Sequence, residues 1–181
     1  MEKLYQKITV PNLENIVGEV VSFSQRQIEE NVRAWDIDLS SVKKHMPIFF
    51  SYLLGNFYQL PALFRVYNTP PFGGLATHAD NNTIAFNLPL YGTANTQMNY
   101  YSTPPDNVEL KYAGFRVPQE LTKIVKDQSK LILLESLELD QPALVRIDVL
   151  HDVVNNNPTN RLVISMKCIG KTFAEVYRGN I

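Results

Sequence analysis

Cysteine is almost missing from this chain of 181 residues: Cys168 stands alone, so no internal disulfide can staple the fold, and a reducing compartment suits it best. Long apolar runs are missing too. Nothing approaches the roughly 20 consecutive apolar residues of a membrane-spanning helix, and the opening MEKLYQKITVPNLENI has no continuous apolar core of the kind that directs secretion. The expectation is a soluble, cytoplasmic protein. Charge of one sign is not in excess, because 17 basic residues face 18 acidic ones for a net charge of −1, and no global field draws in a polyanion such as nucleic acid. There is no internal repeat, no low-complexity segment and no phosphate-binding glycine loop, since Gly73-Gly74 follows two prolines and reads as a turn. Only three histidines occur.

What is present is an ordinary globular composition, 45% hydrophobic, in a length that suits one domain with a sizeable core. The whole chain, 1–181, reads as one unit: residues 1–60 as helical support, 61–170 as a β-barrel core and 171–181 as a C-terminal tail. Ile28, Val32 and Trp35 fall at helical spacing, and Ser24 followed by Gln27 has the form of a capping box, so a helix is expected over Ser24 to Trp35. A second, capped by Ser40 or Ser41, covers KKHMPIFFSYLLGN, with Pro47 ending or restarting it and Gly55-Asn56 stopping it. From about residue 61 the pattern changes to short runs rich in Val, Ile, Phe, Tyr and Thr between turn clusters such as TPPFGG, YGTAN, STPPDN and NNNPTN. Strands are expected near 62–69, 75–80, 83–90, 96–102, 108–113, 131–137, 143–150 and 160–168, and TFAEVYRG reads as a final helical turn. Helices followed by about eight strands, without βαβ alternation, predict a mainly β fold, an antiparallel sandwich or jelly roll, and argue against a doubly wound parallel sheet.

Strand phase then sorts the polar residues. In LATHAD, alternation places Ala76, His78 and Asp80 on one face, so an imidazole and a carboxylate point the same way. In ALVRIDVLH, Val145, Ile147, Val149 and His151 share the inner, apolar face, where a neutral imidazole is acceptable. Two imidazoles and one carboxylate are the facial-triad ligand set for iron(II), which leaves coordination positions open. In RLVISMKC, Arg161, Val163 and Ser165 share one face, and Leu162, Ile164 and Met166 the other. A guanidinium aimed into a barrel needs an anionic partner, for which a carboxylate matches its planar fork.

His78-Ala79-Asp80, then His151, then Arg161 resemble the iron(II) and 2-oxoglutarate-dependent oxygenases with a double-stranded β-helix core (jelly-roll, cupin-like), over residues 65 to 168. The settings RVYNTPPFGGLATHAD, FNLPL and HDVVNNNPTNRLVIS look most like small uncharacterised members related to aspartyl/asparaginyl and prolyl hydroxylases. The resemblance implies that His78, Asp80 and His151 hold iron(II) and that Arg161 pairs with the far carboxylate of 2-oxoglutarate. It further implies that O2 hydroxylates a small-molecule or peptide substrate while 2-oxoglutarate is decarboxylated to succinate. Many members carry a hydroxyl residue two positions after the arginine. Here that position is Val163, and Ser165 is the nearest hydroxyl on the same face.

Other assignments compete with these. Arg161 also has a structural reading, an ion pair with an acid such as Asp152, and the histidines can be hydrogen-bonded core groups. Tyr67 and Asn87 have phases that suit either the cavity or the core. Tyr100 and Tyr101 straddle two faces of one strand and read chiefly as core, and His45 reads as a solvated helix residue. Cys168 lies on the apolar face of its strand, which argues against a nucleophile. The loops TPPFGG and YGTANTQ flank the ligand strand and are candidates for substrate contact. The alternatives to an oxygenase are a non-catalytic jelly-roll module that binds a metal or ligand, and a zinc-dependent isomerase or hydrolase using the same ligands.

Overall fold

The computed structural model describes residues 3–81, 83–112 and 121–179. Among these residues twelve strands make two six-stranded sheets, both built of antiparallel pairs. The first sheet orders β1 (Tyr5–Lys7), β10 (Ala143–Arg146), β5 (Ile84–Tyr91), β12 (Arg161–Cys168), β3 (Leu63–Thr69) and β2 (Ala34–Asp38). The second orders β7 (Val108–Tyr112), β8 (Leu121–Val125), β4 (Gly74–Ala79), β11 (His151–Asn155), β6 (Thr96–Ser102) and β9 (Ile132–Glu138). From β3 to β6 the chain changes sheet at every strand, and it does so again from β9 to β12. That alternation is a double-stranded β-helix: a mainly β fold with a helical N-terminal part.

Period-two burial explains why β12 belongs between two neighbours. Leu162, Ile164, Met166 and Cys168 turn outward from the barrel into a core shared with Phe64, Phe86 and the helices, while Arg161, Val163 and Ser165 face between the sheets. The helices α1 (Leu13–Phe23), α3 (Leu39–His45) and α4 (Pro47–Asn56) supply Ile16, Val20, Val42, Phe49 and Leu53 to that outer core. A second core between the sheets holds Met98, Tyr100, Leu137, Val145, Ile147 and Val153. Among the described residues no helix is long and apolar enough to cross a membrane.

Several expectations need correction. The helix expected over Ser24 to Trp35 stops early: α2 is only Gln25–Glu29, Asn31 takes a positive φ of 52° that ends the helical path, and Trp35 belongs to β2 opposite Val66. Ser24 makes no side-chain cap; its Oγ accepts from Trp35 Nε1 at 3.3 Å. The second helix breaks at Met46, as Pro47 requires, but its cap is Asp38 rather than Ser40 or Ser41. Helix α1 and the strands β1, β2, β8 and β11 were not anticipated, and the end of the run 108–113 lies outside the described residues. The strand expected over 143–150 stops at Arg146, where Arg146 grips Asp148 with two hydrogen bonds of 2.8 and 2.7 Å and carries the chain round a corner. His151 therefore opens β11 in the opposite sheet. The final turn is the short α5, Phe173–Val176.

Asp38 offers a measurable consequence. Its carboxylate accepts from Ser41 N–H and Ser41 Oγ, each at 2.8 Å, and from Ser40 Oγ, so these hydrogen bonds lower its pKa from 3.8 to about 2. A carboxylate lowered on folding stabilises the protein fully above about pH 4 and loses that contribution as pH falls toward 2. Asp38→Ala is expected to flatten this part of the acid-unfolding profile, read by circular dichroism against pH; an unchanged acid limb would show that the cap does not matter.

Candidate functional site

A cavity of about 410 Å³ lies between the sheets, within the range of roughly 300–1,000 Å³ common for small-molecule sites. Exposed Leu63 and Ile169 mark its mouth, and Arg161, 2% exposed, lies at its buried end. The residues proposed from the sequence as metal or cosubstrate contacts all line it: Tyr67 from β3, His78 and Asp80 at the end of β4, Asn87 from β5, His151 from β11, and Arg161 and Ser165, with Val163 between them, from β12. Lys167 continues the β12 row to the mouth, six residues from Arg161, or roughly 20 Å along the strand.

His78 and His151 are register partners across β4 and β11, and their ring centroids lie 4.5 Å apart. Each ring is fixed in the same way. Nδ1 of His78 donates to Ala76 O at 2.7 Å and Nδ1 of His151 to Val149 O at 2.9 Å, which places the proton on Nδ1 and leaves Nε2 as the lone-pair donor. Burial, reinforced by the neighbouring His78, lowers the His151 pKa to about 4. A ring that resists protonation is suited to hold a cation.

Asp80 was expected to point at the same spot. Its backbone N–H bonds to Ile147 O at 2.7 Å, but its carboxylate lies 3.4 Å from Lys167 Nζ. Among the described residues no three His, Cys, Asp or Glu side chains converge as a ready-made metal site. The donor types nevertheless fit a divalent metal: two imidazoles and one carboxylate share one cavity.

At the other end, burial lowers the Arg161 pKa to about 10, with Tyr67 opposing the shift, and Nε is a buried donor without a hydrogen-bond partner. An ion pair with Asp152 does not form: that carboxylate is occupied by Asn99 and Tyr101, each at 2.9 Å. A buried cation with an orphaned donor fits an anionic group from outside the chain.

The remaining candidates sort cleanly. Tyr100 is core, its hydroxyl donating to Leu4 O at 3.1 Å, and burial raises its pKa. His45 is exposed beside Phe23. Burial pushes the Cys168 thiol up to about 12, which excludes an activated thiolate. The loops TPPFGG and YGTANTQ do not line the cavity. They are gathered at the barrel's closed end by Asn155, whose Nδ2 donates to Thr69 O, Pro70 O and Thr159 O, and by Asn157, which donates to Gly92 O and Ala94 O. These roles of Asn155 and Asn157, and the places of Lys167 and of the Arg65–Asp36 pair at the mouth, bonded at 2.7 and 2.6 Å, depend on contacts between distant strands and have no local sequence signal.

The sequence matches no protein-family model and no curated protein. Among solved structures it is similar to ThoJ, a non-heme monooxygenase in its apo form, with TM-score 0.49 and 13% identity over 91% of this chain and 72% of that one. It is also similar to AviO1 from Streptomyces viridochromogenes, with TM-score 0.48 and 10% identity over 90% and 88% of the two chains. An uncharacterised Klebsiella pneumoniae protein with a double-stranded β-helix domain matches at TM-score 0.31 and 11% identity over 61% and 70%.

Proposed function

We propose that this chain is an iron(II)- and 2-oxoglutarate-dependent oxygenase that uses O2 to hydroxylate a small-molecule or peptide substrate, with decarboxylation of 2-oxoglutarate to succinate. The observation that carries the proposal is the pairing of a buried guanidinium with an orphaned Nε and, in the same cavity, two imidazoles whose Nε2 atoms are free to bind metal. Iron(II), when bound, supplies the redox chemistry and the open coordination positions for a chelating keto acid and oxygen.

The chain's residues have the following parts in this reading. His78 and His151 hold the metal through Nε2, with Ala76 O and Val149 O fixing their tautomers. Asp80 adds the carboxylate, which requires it to leave Lys167. Arg161 receives the far carboxylate of the cosubstrate as a fork, Ser165 supplies a hydroxyl on the same face in place of Val163, and Tyr67 and Asn87 flank them. Leu75, Met98, Ile147, Val153 and Val163 line the remaining wall and exclude water.

The Asp80–Lys167 pair favours one other reading, a jelly-roll module that binds a ligand without oxidation. Anaerobic titration of the iron(II)-loaded protein with 2-oxoglutarate separates the two. The oxygenase predicts the weak visible charge-transfer band of the chelate; iron demonstrably bound with no band at any concentration overturns it in favour of the module.

A further inference from the structure

The cavity holds one charge more than its metal and cosubstrate use. Among the described residues its lining carries three cations, Arg65, Arg161 and Lys167, and two carboxylates, Asp36 and Asp80. Imidazoles bind a metal as neutral rings, and a divalent metal cancels the two negative charges of 2-oxoglutarate. The loaded lining therefore keeps a single positive charge in excess, and the ion pairs show where it falls. Arg65 is gripped by Asp36 through two hydrogen bonds of 2.7 and 2.6 Å. Arg161 lies at the buried end, given above to the far carboxylate of the cosubstrate. The ammonium of Lys167 lies 3.4 Å from the Asp80 carboxylate, in a pair whose side chains are only 20% and 14% exposed. When Asp80 turns to a metal, that ammonium loses this carboxylate while most of its side chain stays screened from water, and a charge in such a place calls for another anion.

We infer that the substrate is a small aliphatic monocarboxylic acid whose carboxylate takes the place of Asp80 on Lys167, an inference that rests on the oxygenase reading above. A single excess charge suits a carboxylate better than a phosphate dianion. Lys167 shares the inward face of β12 with Arg161 and Ser165, so its ammonium serves the cavity, and its contact with Asp80 keeps an anion seated there beside the metal-binding end. The wall around the mouth is apolar: Leu63 and Ile169, 48% and 58% exposed, stand there with Pro61 and Ala62 and offer an aliphatic body a surface to cover. Lys167 is on this account the residue that selects the substrate. Substrate and metal are also coupled, because each binds by taking one member of the Asp80–Lys167 pair.

Saturation-transfer NMR on the full chain, loaded with zinc(II) in place of iron and saturated with 2-oxoglutarate, tests the inference without turnover. The probes are 4-methylpentanoate and its uncharged amide, 4-methylpentanamide. The acid should bind at least about tenfold more tightly than the amide. Lys167→Met should cut that preference to within about twofold, with continued binding of the amide showing that the variant is folded, and Lys167→Arg, which keeps the charge, should retain it. Binding of 2-oxoglutarate to the wild type is measured first. Its absence removes the oxygenase reading and this inference with it, whereas bound 2-oxoglutarate with no preference for the acid overturns the inference alone. A preference that survives in Lys167→Met puts the probe's carboxylate on the metal and overturns it too. Acetyl-glycyl-leucine separates a free acid from the C-terminal carboxylate of a peptide: tighter binding of this dipeptide than of 4-methylpentanoate overturns the assignment to a small acid.

Discussion

Replacing Arg161 with methionine is expected to make the ligand-free protein more stable while abolishing its response to 2-oxoglutarate. Arg161 is a fully buried cation whose Nε has no partner and whose burial depresses its pKa to about 10. The folded chain therefore bears a desolvation cost that Tyr67 opposes only in part. Methionine fills a similar volume without that charge, and removal of poorly compensated buried charge stabilises by roughly 1–4 kcal/mol. For a chain of this length each kcal/mol raises the melting temperature by roughly 2–4 °C. The wild type should gain about 2.7 kcal/mol when 2-oxoglutarate is present at a hundred times its dissociation constant, with an inert divalent metal in the iron site. The variant should gain nothing. Thermal unfolding with and without the keto acid reads both effects. A destabilised variant that still responds to 2-oxoglutarate would make Arg161 a structural residue and remove the main support for the oxygenase reading.

Loss of either imidazole is expected to reduce iron(II) affinity more than hundredfold, about 2.7 kcal/mol, with the barrel intact. The magnitude exceeds the 10–100-fold typical of losing an outer partner of a metal ligand, because a donor atom itself is removed. His78→Ala is the cleaner variant, since His78 is half-exposed, whereas His151 is buried against Tyr100 and its removal leaves a gap. Anaerobic metal titration, with near-ultraviolet circular dichroism to monitor packing, separates loss of the donor from loss of the fold. Unchanged affinity in both variants would show that the paired rings, 4.5 Å apart, are a packing contact only. Asp80 gives a contrast: because its carboxylate already has Lys167 as a partner, its replacement removes an ion pair as well as a donor.

The parts of this structure that were legible in the sequence are those governed by strand phase. The face that carries Arg161, Val163 and Ser165 follows from alternation alone, because Leu162, Ile164 and Met166 must enter a core. The same argument places His78 and Asp80 together. It fails wherever a tertiary contact redirects the chain. Ile28, Val32 and Trp35 have helical spacing, yet a left-handed Asn31 and the pairing of Trp35 with Val66 turn that segment into a strand. Val145 to His151 has the alternation of one strand, yet the Arg146–Asp148 grip divides it between two sheets. The partner of Asp80 was hidden for a simpler reason. Lys167 lies 87 residues away in sequence, and only the crossing of β12 over the cavity brings the two together.

The asparagine clasp at the closed end has a kinetic meaning. Asn155 and Asn157 tie the backbone of three loops together, and Asn155 is completely buried, so the described barrel has a mouth at one end and a floor at the other. A site whose buried end lies at Arg161 and whose exposed end lies at Leu63 and Ile169 imposes an order of events. Whatever seats on Arg161 must arrive before anything settles at the mouth, between Leu63 and Ile169, and must leave after it. For the oxygenase proposed above this predicts ordered binding, with the keto acid seated on Arg161 before the substrate settles at the mouth.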